Sequence, residues 1–292
     1  MRKVWMTLVA VVGLCLALAS GCAMMTEGPA PTDSDRNTTA QPTQATTAAP
    51  IAPTDAPTEP PVTEPQPTEP PVTEPPTTQP PEKKLTVCID AGHQRYGISE
   101  KEPNGPGSDV MKAKLTSGTR GVSTGIAEYQ LNLEVSLLLE QELIARGYDV
   151  VMIRRDNDCP LSNAERAQVA NESGADIFVR IHANGSENSK VSGALCCAPT
   201  QKNPFLTQQV IAESIRLSRA VVNSFCDATG ANNQGLMSTD TMTGINWCEI
   251  PVTIVEMGYM SNAEEDEKMA TEEYRTLMIQ GIADGIDAYF GV

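Results

Sequence analysis

The chain has 292 residues, of which 40% are hydrophobic and 20% are charged, and its formal net charge at pH 7 is −16. Such an acidic chain argues against a nucleic acid as partner. Sixteen of the twenty-two prolines lie between Pro29 and Pro81, in a stretch too poor in large apolar side chains to bury a core. The remaining part, about 210 residues, is long enough for one well-buried domain.

Residues 1–21 have the pattern of an export signal. Arg2 and Lys3 precede an apolar run over residues 9–18, which is too short to span a membrane comfortably. Small residues then lead to Cys22, which resembles the lipidated cysteine of a bacterial lipoprotein. A cleaved signal peptide without lipid and a retained membrane anchor are the alternatives. We expect an exported protein that is lipid-anchored to the outer face of the cytoplasmic membrane, within the cell wall. If the signal peptide is cleaved without lipidation, we expect a secreted protein.

Residues 22–82 form a spacer rich in Pro, Thr and Glu. A ten-residue unit repeats within it, over residues 57–65 and again over 67–75. This composition predicts a disordered, extended segment of largely polyproline II conformation. Fully extended, it would reach on the order of 150 Å. The sequence leaves open whether it is a tether of tuned length or a generic linker.

Residues 83–292 alternate between strand and helix patterns. Short apolar runs predict strands over residues 85–89, 149–153, 176–181, 191–197 and 252–255. Helical periodicity predicts helices over residues 128–146, 162–172, 207–228 and 272–290. Such alternation is typical of an α/β domain with a mainly parallel sheet covered by helices on both faces.

The chain contains only two histidines, His93 and His182, and each follows a predicted strand. Glu256 also ends a strand, and the carboxyl ends of parallel strands meet at one edge of a sheet. Glu128, which begins a helix, is able to reach that edge from a facing loop. Two histidines and a carboxylate are a common zinc ligand set. Taken singly, the same residues fit capping, helix-dipole or solvated roles, so the residues alone leave both interpretations open.

Five motifs extend this pattern along nearly the whole domain. They lie at residues 87–93, 128–132, 155–158, 175–184 and 255–262. Each motif is modest alone, but five in this order and spacing are specific. Over residues 85–290 the domain resembles the zinc-dependent N-acetylmuramoyl-L-alanine amidases of the amidase_3 type.

The resemblance implies a fold, a metal and a reaction. The expected fold is a twisted, mainly parallel six-stranded sheet with helices on both faces. One zinc ion would be held by His93, Glu128 and His182, and Glu256 would be the catalytic general acid and base. The expected substrate is peptidoglycan, cleaved at the amide between N-acetylmuramic acid and L-alanine of the stem peptide. The alternatives are a metal-dependent stem-peptide peptidase and a non-catalytic wall-binding lipoprotein.

Two further residues are candidates near the site. Asn184 either orients substrate or shapes the turn after His182. Asp90 either holds His93 in position as a partner outside the ligand set or caps backbone amides. The chain departs from the family in having Arg180 where a small polar residue is usual. It also has a long segment over residues 94–126, which we expect to form a loop beside the site. No protein partner is deducible.

Arginines and cysteines of the domain carry structural expectations. Arg155 and Arg166 fit the family pattern and are expected in buried ion pairs with carboxylates. The domain has six cysteines without a zinc-type Cys-x-x-Cys pair, and the sequence decides neither their pairing nor whether they are free. Its cysteines are Cys88, Cys159, Cys196, Cys197, Cys226 and Cys248.

Overall fold

The structure is a computed structural model that describes residues 84–292. The predicted signal over residues 1–21, Cys22 and the spacer over residues 22–82 lie outside the described residues. Their lipidation, conformation and boundaries therefore stay predictions.

Eight strands build the domain, six of them in one sheet. The strands are β1 (Thr86–Ala91), β2 (Ile98–Pro103), β3 (Met111–Leu115), β4 (Asp149–Met152), β5 (Ile177–Asn184), β6 (Ala194–Ala198), β7 (Asn233–Ser238) and β8 (Val252–Tyr259). The large sheet has the order β4-β1-β5-β8-β6-β7, and only the β6–β8 pairing is antiparallel. The predicted six-stranded, mainly parallel sheet is thus confirmed.

Six helices flank this sheet. They are α1 (Glu128–Ala145), α2 (Asn163–Glu172), α3 (Gln208–Thr229), α4 (Thr243–Asn246), α5 (Ala263–Met269) and α6 (Glu272–Phe290). Local chemistry sets their ends. Ser162 and Glu165 form a reciprocal capping box at the start of α2, and Gly230, with φ of 70°, ends α3 in the left-handed conformation.

The alternation of β5 shows how the two faces of the sheet are covered. Ile177, Val179 and Ile181 point into a large core shared with α1, α3 and α6, whereas Phe178 points into a smaller core with α2. Successive side chains of a strand point to opposite faces, so Arg180 lies on the same face as Phe178. Continuing along that face, the next alternate residue is His182, and the apolar core gives way to polar side chains at the edge of the sheet.

The structure corrects the expected loop over residues 94–126. Part of this segment is an antiparallel hairpin, β2 paired with β3, with an irregularity in register between Ile98 and Lys101. The hairpin was missed because its strands are largely exposed and polar, so no apolar alternation marks them. The strands β5 and β8 also run further than predicted, so that His182 and Glu256 lie within strands. The short elements β7, α4 and α5 had no distinct sequence signal.

Two observations concern the character of the described domain. No helix within residues 84–292 has both the length and the apolar surface needed to cross a bilayer. All six cysteines of this range are free thiols, and only Cys159 is not buried. The question of disulfide pairing is thereby answered for this structure.

Candidate active site

Three predicted ligands come together from three separate elements. Oε1 of Glu128 lies 3.1 Å from Nε2 of His93 and 3.2 Å from Nδ1 of His182. The imidazole centroids of the two histidines are 4.7 Å apart. His93 follows β1, Glu128 begins α1 and His182 lies in β5, so the fold alone makes them neighbours. We call these three residues the metal cluster.

His93 is held in an unusual backbone conformation. Its φ is 62°, and it is the only non-glycine residue with a positive φ among residues 84–292. This conformation costs an L-residue roughly 1–2 kcal/mol, and such strain gathers at functional sites. Nδ1 of His93 lies 2.8 Å from the carbonyl oxygen of Thr116, which only accepts hydrogen bonds. Nδ1 therefore carries the proton, and Nε2 presents a lone pair toward Glu128.

The imidazole of His182 is packed closely against backbone. A Cβ at Gly92 would overlap this ring, so only glycine fits there. Nε2 of His182 is buried and has no hydrogen-bond partner among the described residues. Burial lowers the pKa of His182 to about 4, which the hydrogen bond with Glu128 only partly offsets. The ring is therefore neutral at physiological pH, as a metal ligand must be.

Glu128 is buried, and both of its carboxylate oxygens accept hydrogen bonds. Oε2 accepts a hydrogen bond from the backbone amide of Thr119 at 2.8 Å, and Oε1 accepts bonds from Asn132 and from the amide of Ala183, each at 3.2 Å. Burial disfavours its charge, but the adjacent imidazoles of His182 and His93 outweigh this effect and hold the pKa of Glu128 well below its usual range. Glu128 is thus a charged carboxylate at neutral pH.

The metal cluster fits a divalent cation. One ligand atom from each residue lies within 4.8 Å of the others. Donor atoms of a tetrahedral zinc site, with bonds of about 2.0–2.1 Å, stand roughly 3.3 Å apart, close to the separations seen here. Two neutral imidazoles and one carboxylate are also a donor set that zinc favours.

Glu256 lies next to the metal cluster and shares a cavity with its two histidines. It pairs in register with His182 on the adjacent strand β8, and both line a cavity of about 400 Å³ together with His93. Burial and the negative charge of Glu128 raise the pKa of Glu256 to about 8, against the opposing effect of Arg180. A carboxyl group with a pKa in this range is suited to exchanging protons near neutrality.

Asp90 plays neither of its two expected roles. It is fully buried, and Oδ1 accepts a hydrogen bond from Arg166 at 2.8 Å while Oδ2 accepts one from Arg180 at 2.9 Å. The partner of His93 is instead Thr116. The two guanidinium groups outweigh the cost of burial and lower the pKa of Asp90. We call Asp90, Arg166 and Arg180 the arginine cluster.

Two other expectations have different outcomes. Oδ1 of Asn184 accepts a hydrogen bond from the amide of Gly185 at 2.8 Å, as the turn role predicts, and Asn184 does not line the cavity. Arg166 makes the expected buried ion pair with Asp90. Arg155 pairs with Glu140, but its side chain is 61% exposed, so the expected burial is wrong for Arg155.

Sequence reasoning missed two residues that hold the metal cluster in place. Asn132 donates a hydrogen bond to Glu128 and another to the carbonyl of Gly92, each at 3.2 Å. Its spacing of four residues from Glu128 on one helix was a usable signal. Thr116 orients His93 through its carbonyl oxygen, a role that no local pattern of the hairpin segment indicates.

Known proteins share this fold at 25–29% sequence identity. The catalytic domain of CwlV, an N-acetylmuramoyl-L-alanine amidase from Bacillus (Paenibacillus) polymyxa var. colistinus, is 29% identical with a TM-score of 0.57, over 71% of this chain and 99% of that one. Ami1, the N-acetylmuramyl-L-alanine amidase of Mycobacterium smegmatis, is 25% identical with a TM-score of 0.64, over 71% of this chain and 97% of that one.

Sequence comparison gives the same result. The N-acetylmuramoyl-L-alanine amidase LytC of Bacillus subtilis is 26% identical over 169 residues, which are 58% of this chain and 32% of LytC. The family model Amidase_3, described as N-acetylmuramoyl-L-alanine amidase, matches residues 87–288. This match spans both histidines, Glu128 and Glu256, and covers well over half of the chain. The chain therefore belongs to the Amidase_3 family of N-acetylmuramoyl-L-alanine amidases.

Proposed function

We propose that this protein is a zinc-dependent peptidoglycan hydrolase that cleaves the amide between N-acetylmuramic acid and L-alanine of the stem peptide. The observation that carries the proposal is the metal cluster, whose two histidines line one cavity together with Glu256. Membership of the amidase family supports the reaction type. The zinc and the individual residue roles rest on the chemistry of the donor set.

His93, Glu128 and His182 would hold the zinc ion. When bound, zinc lowers the pKa of water and polarises the amide carbonyl. The chain itself supplies the fixed orientation of the ligands: the carbonyl of Thr116 sets the tautomer of His93, and Asn132 holds Glu128. Such partners behind the ligands raise ligand basicity and fix the rings in place.

Glu256 would move the protons of the reaction. It accepts a proton from the attacking water and delivers one to the nitrogen of the departing L-alanine. Its position beside His182 and its raised pKa, about 8, suit a group that both takes up and returns a proton near neutral pH. Both histidines already belong to the metal cluster, so no described histidine is left to serve as the general base.

One assay separates this proposal from its two alternatives. Zinc-loaded protein is incubated with purified peptidoglycan, and the new amino termini are labelled and identified. We expect L-alanine termini, no release after chelation, and no release by the His93→Ala variant, which should also lack stoichiometric zinc. Termini of D-amino acids would indicate a stem-peptide peptidase, and binding without any release would indicate a wall-binding lipoprotein.

We also propose that Cys22 is lipidated and anchors the exported protein to the outer face of the cytoplasmic membrane. The proposal rests on the sequence of residues 1–22. Membrane and medium fractions of cells that express the intact chain or the Cys22→Ala variant test it. We expect the intact chain in the membrane fraction and the variant in the medium, and equal distribution of the two would contradict lipidation.

A further inference from the structure

The cavity in front of the metal cluster has a positively charged side that the proposed reaction does not use. Arg180 of β5 and Lys112 of β3 both line this cavity. Glu256 is the only carboxylate among the lining residues. Both cations are therefore available to contact a bound substrate.

Arg180 is only 2% exposed, and its guanidinium is fixed by two partners. Nε donates to Oδ2 of Asp90 at 2.9 Å, and Nη2 donates to Oδ1 of Asn163 at 2.8 Å. The remaining nitrogen, Nη1, has no acceptor among residues 84–292. It is not fully buried, and because Arg180 lines the cavity, this nitrogen opens onto it. The guanidinium thus presents one aligned, unused donor.

The charge of Arg180 is not cancelled by its neighbours. Asp90 is the only carboxylate in the arginine cluster, and Arg166 shares it. Nearby, Arg154 is also buried and donates mainly to backbone carbonyls, which leaves its charge unpaired as well. A buried cluster with excess positive charge favours an anion at its open side.

The short helix α4 is shaped around this guanidinium. A Cβ at Gly244 would coincide with Nη1 of Arg180. Gly244 itself lines the cavity, so Nη1 reaches the lining through the space that the missing side chain leaves. Any larger residue there would overlap Nη1 and displace the guanidinium. Asp90 and Asn163 hold its other two nitrogens in the present position.

Lys112 of the hairpin supplies the second charge at this cavity. It is half-buried on β3, and no carboxylate in residues 84–292 lies within ion-pair distance of its ammonium group. On the neighbouring strand β2, Lys101 is exposed and does not line the cavity. Of the three lysines on the two strands of the hairpin, Lys101, Lys112 and Lys114, only Lys112 lines the cavity.

The spacing along β5 indicates where a bound anion would sit relative to the reacting amide. Arg180 and His182 are two residues apart on the same face of the strand, which corresponds to about 6.6 Å. An extended peptide covers about 3.3–3.6 Å per residue. A group next to Arg180 thus lies one or two peptide residues away from a group at His182.

We propose that Arg180 and Lys112 form a subsite for a free carboxylate on the stem-peptide residue that follows L-alanine, and that this subsite selects carboxylate substrates over carboxamide ones. The subsite rests on the proposed amidase function. Arg180 would donate through Nη1, and Lys112 would add a point charge from the hairpin. Both are positioning residues, because neither contacts the reacting atoms.

Two soluble muramoyl peptides test the proposal. They are identical except that the residue after L-alanine carries a free carboxylate in one and a carboxamide in the other. A charge-assisted hydrogen bond contributes enough to predict a preference of the zinc-loaded wild type for the carboxylate peptide of roughly 10-fold or more in kcat/KM. Equal cleavage of the two peptides would overturn the proposal.

Two variants and one matched control locate the preference. Lys112→Gln removes the charge on the hairpin, and Gly244→Ala displaces Nη1 without altering any charge. In both we expect the preference to fall to within about 3-fold, with the loss mainly in KM for the carboxylate peptide. The control Lys101→Gln changes the same charge outside the cavity and should keep both the activity and the preference. Zinc content and unfolding midpoint report whether each variant is folded.

Other outcomes are equally informative. An equal loss on both peptides in Lys112→Gln and Gly244→Ala would show a structural role and overturn the subsite. If the zinc-loaded wild type cleaves neither peptide, the proposed function fails. In that case, calorimetric titration of wild type and Lys112→Gln with the two peptides decides the subsite. Tighter binding of the carboxylate peptide to wild type alone supports it, and equal binding overturns it.

Discussion

Two charge clusters lie near the carboxyl end of β1, one with Arg180 in the middle of β5 and one with His182 further along the same strand, and they differ in how their charges are balanced. In the arginine cluster, both oxygens of Asp90 accept hydrogen bonds from guanidinium groups, so the carboxylate is fully neutralised. In the metal cluster, a charged carboxylate sits between two imidazoles, one of which has a buried nitrogen without a partner. The arginine cluster shares one carboxylate between two guanidinium groups, whereas the metal cluster gathers one carboxylate and two imidazoles around a common point.

The pairing of Asp90 with two arginines serves stability, whereas the converging donor atoms of the metal cluster fit a metal ion. A paired buried carboxylate ties elements together, here the end of β1, the middle of β5 and helix α2. A set of converging lone pairs adds little to folding until a metal joins it.

The largest expected effect concerns Glu256, which belongs to neither cluster. We expect Glu256→Gln to lower kcat on purified peptidoglycan roughly 10²- to 10⁴-fold, because the amide cannot exchange protons. The zinc content should stay at the wild-type level, since Glu256 is not a proposed ligand. Release of L-alanine termini and metal analysis on one preparation measure both. Full activity of the variant would remove Glu256 from the reaction.

The next effect distinguishes the two clusters directly. We expect Asp90→Ala to lower the free energy of unfolding by roughly 3–5 kcal/mol with or without zinc, because two buried guanidinium groups lose their carboxylate. We expect Glu128→Gln to abolish the stabilisation that zinc gives the wild type. Urea unfolding of both variants with zinc and with chelator measures this. An undiminished gain from zinc in Glu128→Gln would place the metal elsewhere.

A smaller effect follows from the pKa of His182 in the metal-free protein. Burial lowers this pKa to about 4 from an ordinary value of 6.5, so the fold prefers the neutral ring. The stability that His182 contributes is fully present above pH 6.5 and is lost as the pH falls toward 4. The loss amounts to about 2 kcal/mol between pH 6.5 and 5.

Glu256 acts in the opposite sense, so the comparison needs a variant. Because the pKa of Glu256 is raised to about 8, its contribution decreases as the pH rises from 4.5 to 8. The metal-free wild type should therefore show a shallow dependence, and His182→Asn should lose stability clearly as the pH rises from 5 to 6.5. The free energy of unfolding of both proteins is measured between pH 5 and 6.5. The same pH dependence in the two would contradict the lowered pKa of His182.

The smallest effect concerns the support of the metal cluster. Asn132 holds Oε1 of Glu128 and the carbonyl of Gly92, and partners behind metal ligands tune affinity. We expect Asn132→Ala to weaken zinc binding roughly 10-fold while leaving the ligand set intact. Competition with a chelator of known affinity measures this change. Unaltered affinity would show that Glu128 is held well enough by Thr119 and Ala183.

Much of the architecture was predictable because it is locally encoded. The helix over Glu128–Ala145 and the strand over Thr86–Ala91 follow from apolar periodicity, and Ser162 marks the start of α2 through its capping box. The hairpin β2–β3 was not predictable in this way. Its strands bury few side chains and so carry no periodic signal.

The candidate ligands were predictable for a different reason. The chain has two histidines, and both stand after apolar runs whose carboxyl ends must share an edge in a parallel sheet. The same placement brought in Glu128 and Glu256, and the resemblance to a known family implied their separate roles as metal ligand and catalytic residue. The role of Asp90 was predicted wrongly because its partners lie 76 and 90 residues away along the chain. No local pattern reports such contacts.

The sequence by itself determined the division of the chain into a proline-rich part and a foldable part, and the α/β class of the latter. It also determined which residues are the two candidate imidazole ligands, because the chain has no histidines besides His93 and His182. Composition and periodicity are local properties, and residue scarcity is a property of the whole chain, so each is read without coordinates. Only the tertiary structure decided that Thr116 orients His93, that Asp90 serves two arginines, and that Arg180 opens one nitrogen onto the cavity. These outcomes depend on which distant surfaces pack together, and packing is settled by the whole fold.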